Sequence, residues 1–154
     1  MYIASGERFV ARDCVFENCS SLGKDGTLYI AGSAENHIQG RGLFKRLSKD
    51  KGKKIQVLFH ACHVKSGISD IGGGIYIYSA DLELNNTKFE QCKGRAGAAA
   101  LDAFNCTINS SDTVFIRCEV PQSYAVVMLK ETNISEEARI GQFEQCEIIS
   151  SIIH

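Results

Sequence analysis

Seven cysteines, four histidines and seven aspartates are the first side chains to weigh for metal, nucleophilic or acid–base chemistry in this 154-residue chain. His60, Cys62 and His63 form the densest group. On a strand His60 and Cys62 share a face and His63 opposes them, so a zinc site would need at least one further ligand from elsewhere. The expectation is a solvated histidine pair beside a core cysteine. No Cys-x-x-Cys pair occurs, which removes the usual metal spacing. The aspartates, Asp13, Asp25, Asp50, Asp70, Asp81, Asp102 and Asp112, are scattered, with no two adjacent or alternating. Acid–base catalysis by paired carboxylates needs a fixed separation, which this spacing does not imply. There is no Gly-x-Ser-x-Gly nucleophile elbow. Gly72-Gly73-Gly74 lacks the Lys-Ser/Thr ending of a phosphate loop and reads as close packing at a corner. No enzyme activity, metal or cofactor is expected.

Charge is uneven. Arg41, Lys45, Arg46, Lys49, Lys51, Lys53 and Lys54 stand against one anion between positions 41 and 54, while the whole chain has a net charge of −1. Two readings stand for this basic segment: a solvated loop, or a contact for an acidic protein, a nucleic acid or an anionic membrane. Leu43, Phe44 and Leu47 within it favour contact. No apolar run is long enough for a membrane-spanning helix, and no secretory signal pattern opens the chain. The expectation is an intracellular protein or a piece of a longer one.

The elements that must carry these residues are announced by a repeat. Phe-x-x-Cys occurs five times, at Phe16–Cys19, Phe59–Cys62, Phe89–Cys92, Phe115–Cys118 and Phe143–Cys146, with phenylalanines 43, 30, 26 and 28 residues apart. Periods of this size mark solenoids. Small-residue entries lead into apolar strands, as in Gly26-Thr27-Leu28-Tyr29-Ile30 and Gly73-Gly74-Ile75-Tyr76-Ile77-Tyr78. Their alternation, like that of Ile55-Gln56-Val57-Leu58-Phe59, has period two, and no helical period runs beside it. Phe and Cys three apart face opposite sides of a straight strand, so both point inward only if the chain turns between them. Glu17-Asn18, Glu90-Gln91 and Glu144-Gln145 are therefore expected at solvated bends. The long first interval is assigned to a polar, basic insertion at about 39–54.

Phe59-His60-Ala61-Cys62 with Gly73-Gly74-Ile75, and Phe89-Glu90-Gln91-Cys92 with Gly97-Ala98-Ala99, resemble the repeat of the polymorphic outer-membrane protein family. The chain is similar, more broadly, to pectin-lyase-like parallel β-helices, over about Phe9 to Cys146. Cys stands here where the family carries Asn. The resemblance implies an all-β, right-handed parallel β-helix of about five rungs, one domain over residues 1–154, and a surface or adhesive role. Pectin-lyase-like enzymes cluster aspartates on one outer face, a pattern not seen here.

Stacking rungs about 4.8 Å apart puts like residues in ladders. Neighbouring cysteines would come within disulfide range, but with parallel Cβ bonds, so a buried reduced ladder is expected over disulfides or metal. Five Asn-x-Ser/Thr sequons, at Asn18, Asn85, Asn105, Asn109 and Asn133, are either glycan acceptors or turn residues. Turn chemistry is the expectation adopted. Ile148, Ile149, Ile152 and Ile153 make the C-terminal stretch apolar and uncharged, and a protein partner is expected at that edge. Function is expected to be that of a non-enzymatic interaction or scaffold module. The alternatives are a structural subunit of a large intracellular assembly, such as a cytoskeletal or ciliary one, and a polysaccharide-active enzyme.

Overall fold

The computed structural model describes residues 2–3, 8–21, 27–31, 54–120, 125–134 and 141–146. Every regular element among them is a strand. In chain order these are β1 (Tyr2–Ile3), β2 (Arg8–Arg12), β3 (Val15–Glu17), β4 (Leu28–Ala31), β5 (Ile55–His60), β6 (His63–Lys65), β7 (Ile68–Ser69), β8 (Ile75–Tyr78) and β9 (Ala80–Asn85). They continue as β10 (Lys88–Glu90), β11 (Lys93–Gly94), β12 (Leu101–Phe104), β13 (Thr107–Ser111), β14 (Val114–Ile116), β15 (Val127–Lys130), β16 (Asn133–Ile134) and β17 (Gln142–Glu144).

Successive strands do not pair with each other. Each pairs in parallel with its counterpart one turn later. Three five-stranded sheets result: sheet A, β1-β4-β8-β12-β15; sheet B, β2-β5-β9-β13-β16; and sheet C, β3-β6-β10-β14-β17. A two-stranded sheet D (β7-β11) links C back to A. This is a parallel β-solenoid. From Lys54 to Val120 the described chain winds without interruption through somewhat under three turns.

Period-two alternation becomes burial directly. In β5 Ile55, Val57 and Phe59 point inward, and in β9 Ala80, Leu82 and Leu84 do. Across rungs they stack as Val57–Leu82–Ile108 and, in sheet A, as Ile30–Ile77–Ala103–Leu129. Each fully buried Leu or Ile contributes roughly 1.5–3 kcal/mol, and neighbouring rungs supply part of that burial, so stability is shared between rungs.

The corners follow one rule. Twelve non-glycine residues adopt φ between 48° and 54°. A left-handed residue between two extended ones turns the chain out of the strand line. At every such corner the next residue is Cys, Thr, Ala or Gly. All seven cysteines occupy this position, and so do Thr87, Thr113 and Thr132. Their side chains donate to the carbonyl two residues back and, where a rung lies beneath, to one there. Cys62 Sγ reaches the carbonyls of His60 and Ala11 at 3.4 Å each. Thr132 Oγ1 reaches those of Lys130 at 2.8 Å and Ala103 at 3.3 Å. Cys is the smallest side chain that both donates to these carbonyls and fills apolar space.

The register corrects one expectation. Phe16, Phe89, Phe115 and Phe143 share a column of sheet C, but its member between Phe16 and Phe89 is Val64. Phe59 lies one corner earlier, in sheet B, opposite Ala11 and Leu84. Cys62 accordingly heads β6, between sheets B and C, while Gly67 takes the place that Cys19, Cys92, Cys118 and Cys146 hold in other rungs. Two different corners share Phe-x-x-Cys because both need an inward apolar residue, an outward one, a left-handed one and a small donor. The insertion expected at about 39–54 lies outside the described residues except for Lys54. Residues 32–54 separate β4 from β5, where Ser79 alone separates β8 from β9.

The triple glycine closes the path from sheet D to sheet A. A Cβ on Gly73 would lie 2.4 Å from the carbonyl oxygens of both Ala99 and Lys93. Close packing, as expected, is why glycine stands there.

Candidate functional site on the outer face

The outer faces of the three sheets differ. On that of sheet B the polar Arg8, Gln56, Asp81, Glu83, Asn109 and Asn133 are exposed, and so is Val10, at 41%. Sheet A carries Tyr29 stacked on Tyr76 at 5.2 Å and Tyr78 on Phe104 at 5.3 Å. Asp102, beside Tyr76 in the register, is outward in the strand pattern yet only 4% exposed. Burial pushes its carboxyl up to about 6, opposed by the Lys130 charge and a backbone hydrogen bond at Ala98.

Sheet C holds the organised charge. Phe89 points inward from β10, so Lys88 and Glu90 point outward. Lys88 Nζ lies 2.9 Å from Glu90 Oε2. From the next rung the Arg117 guanidinium donates to Glu90 Oε1. From the previous rung His63 Nε2 stands 3.0 Å from Glu90 Oε2, an electrostatic approach without hydrogen-bond geometry. Three cationic or ionisable groups on three rungs thus converge on one carboxylate. They hold Glu90 down to about 2, chiefly through the Lys88 contact and then Arg117, against the effect of burial. Glu90 was expected at a solvated bend; it is 9% exposed because its partners enclose it.

Beside this cluster, where sheet C turns toward sheet D, runs a groove of about 410 Å³. Its flanks include the left-handed column Ser66, Gln91, Arg117 and Gln145, and across from it Lys93 and Glu119. Lys93 and Glu119 pair at 2.7 Å. Each rung therefore offers the groove another polar side chain, about 4.8 Å from the last. Arg117, fixed by Glu90 yet half exposed, has donors left to turn into it. This arrangement can grip an extended polar chain laid along the axis; it contains no nucleophile beside a base.

The zinc reading does not assemble. Cys62 is buried, while His60 and His63 point outward from different sheets. Among the described residues no group of three or more potential ligands could hold a metal ion. All seven cysteines are free, and Cys62, Cys92, Cys106 and Cys118 are buried. Burial raises the Cys62 and Cys146 thiols and pushes Cys106 up to about 11. Cys118 is raised by the neighbouring Cys92 thiol and by burial. Cys92 is shifted the other way, lowered by its contact with the Cys118 thiol against the effect of its own burial. The raised thiols Cys62, Cys106, Cys118 and Cys146 are held in the protonated form, which is the less nucleophilic one. In the ladder Phe89, Phe115 and Phe143 stack face to face, but Phe143, on the last described rung, is 37% exposed.

Of the basic segment only Lys54 is described, and it is already engaged, 3.8 Å from Asp81 and 3.4 Å from the Thr107 hydroxyl. Arg41, Lys45, Arg46, Lys49, Lys51 and Lys53 lie outside the described residues, as do Ile148, Ile149, Ile152 and Ile153. Sequence reasoning missed Glu90, Lys88 and Arg117. Aligning rungs on the inward phenylalanines would have exposed them, since Arg117 falls two places after Phe115, directly above Gln91. Among the described residues no helix is long and apolar enough to cross a membrane. No family model, no curated protein and no solved structure matches the chain.

Proposed function

We propose that this chain is a non-catalytic β-solenoid interaction module. It is of the surface or adhesive type that its resemblance to the polymorphic outer-membrane protein repeat implies, and it meets its main partner along the flank of sheet C. The observation that carries the reading is the groove from Ser66 to Gln145 beside a carboxylate held by Lys88, Arg117 and His63. Ion pairs fixed by neighbouring rungs are pre-organised, so a partner does not bear the cost of ordering them. An acidic partner at the basic segment and a protein partner at the C-terminal edge remain part of the proposal.

A second reading, a structural subunit of a large intracellular assembly, is favoured by the seven free cysteines, which suit a reducing compartment. Both readings are tested by a photo-crosslinking residue at position 91, used in the cells that make the protein. Defined partner crosslinks that disappear in an Arg117→Glu variant of unchanged stability support the groove. Crosslinks indifferent to Arg117→Glu, or none, overturn it. The identity and compartment of the crosslinked partner decide between the two readings.

A further inference from the structure

Sheet B sorts its charges by rung. The outward residues of β2 are Arg8, Val10 and Arg12, all exposed. Register sets Leu58 of β5 beside Val10 and Glu83 of β9 beside Leu58. Arg8 leads in the same way through Gln56 to Asp81. The face therefore runs from a rung with two arginines, through one centred on the half-buried Leu58, to one with two carboxylates. Elsewhere opposite charges stand on neighbouring rungs and pair, Glu17 with Lys65 at 3.0 Å and Lys93 with Glu119 at 2.7 Å. On sheet B the rung of β5 keeps them apart. Among the described residues neither Arg8 nor Arg12 has a carboxylate partner.

This order is self-complementary. Two such faces related by a two-fold axis along β5 exchange the rung of β2 for that of β9. Arg8 then meets Asp81 of the second copy, Glu83 of the second copy falls between Arg8 and Arg12 over Val10, and Leu58 meets its own equivalent. An axis along the coil would instead set Arg8 against Arg12, like charge on like. Both carboxylates have acceptor capacity left. Lys54 stands 3.8 Å from Asp81 Oδ1, beyond hydrogen-bond length, and Asn85 occupies only Oε1 of Glu83.

We propose that sheet B is a homodimer face, on which a second copy packs with its coil axis reversed. Arg8 and Arg12 pair with the acids of the copy's β9 around Val10 and Leu58. The patch measures roughly 14 by 17 Å from strand spacing and rise. That is well under the roughly 800 Å² per partner of a standard interface, so the pair is weak and sensitive to salt. Sheet C lies on another side of the coil. The dimer therefore presents two grooves, and a partner with repeated sites gains avidity. The dimer does not depend on the groove reading.

Sedimentation equilibrium of the full chain, from low micromolar to millimolar concentration, tests the proposal. A monomer–dimer equilibrium that salt weakens is expected. The Arg8→Glu/Arg12→Glu and Asp81→Lys/Glu83→Lys variants change exposed side chains, so each should keep the parent's thermal midpoint and stay monomeric. Mixed, they should associate again, because every exchanged charge then faces its opposite, a rescue that a merely structural role does not produce. A parent that is monomeric throughout, a dimer that both variants leave intact, or variants that fail to recombine overturns the proposal. A monomer whose arginine rung binds a polyglutamate peptide also overturns it and gives the face to an acidic partner. Crosslinking at position 91 reads sheet C separately, so either inference can fail alone.

Discussion

The rings of Phe89 and Phe115 lie 5.0 Å apart with 14° between their planes, and both are fully buried. They come from successive turns, so the contact exists only when the two rungs are stacked. Phe115→Ala should destabilise the fold by about 3–5 kcal/mol, the usual cost of truncating a buried Phe. Phe143→Ala should cost less, because its ring is part exposed. Denaturant titration checks both, and a loss below about 1 kcal/mol at Phe115 would contradict a packed ladder.

The corner rule makes Cys and Thr interchangeable. Cys106 Sγ donates to the carbonyls of Phe104 at 3.2 Å and Ile77 at 3.7 Å, and Thr132 makes the equivalent bonds one rung later. Cys106→Thr should stay within about 1 kcal/mol of the parent, while the isosteric Cys106→Val, with no donor, should fall a further 0.5–1.5 kcal/mol or so. Equal melting temperatures for the two variants would remove the donor from the argument.

Native thiol labelling should begin at Cys14, Cys19 and Cys146, which are partly exposed, and leave Cys62, Cys92, Cys106 and Cys118 protected. Denaturant should then reveal all seven. Two or more disulfides in a non-reducing peptide map would overturn the free-thiol ladder.

Two acids should bend the pH dependence in opposite directions. Asp102 is raised from 3.8 to about 6, so its neutral form suits the fold. Its penalty is absent below the unfolded value, grows as pH rises from 3.8 to about 6 and is complete above that. Glu90 is lowered from 4.5 to about 2, so its stabilisation is present above 4.5 and is lost as pH falls toward 2. Urea titrations at about pH 7, 5 and 3 should show a maximum at the middle value. Asp102→Asn should stabilise at neutral pH by on the order of 2–3 kcal/mol and flatten the upper limb. Glu90→Gln should flatten the lower one. Unchanged limbs in the two variants would assign the pH dependence to other groups.

Gly73→Ala should be strongly destabilising, because the new Cβ meets two carbonyl oxygens at 2.4 Å with no side chain free to yield. A variant that melts with the parent would show that sheets D and A can separate there without cost.

The local grammar of this fold is written in the sequence. Period-two alternation in Ile55–Phe59 and Ile75–Tyr78 names the inward residues, and Phe and Cys three apart require a bend. Gln91, Arg117 and Gln145 do take left-handed φ there. These are short-range consequences of backbone sterics, legible residue by residue. Which bend belongs to which column was not legible. Phe59 and Phe89 obey the same local rule at different corners, and only pairing across rungs puts Val64 between Phe16 and Phe89. The candidate site was hidden for the same reason. His63, Glu90 and Arg117 are far apart along the chain and carry no motif. They meet because parallel stacking converts one turn of chain into one rung spacing, and register decides which charges face each other.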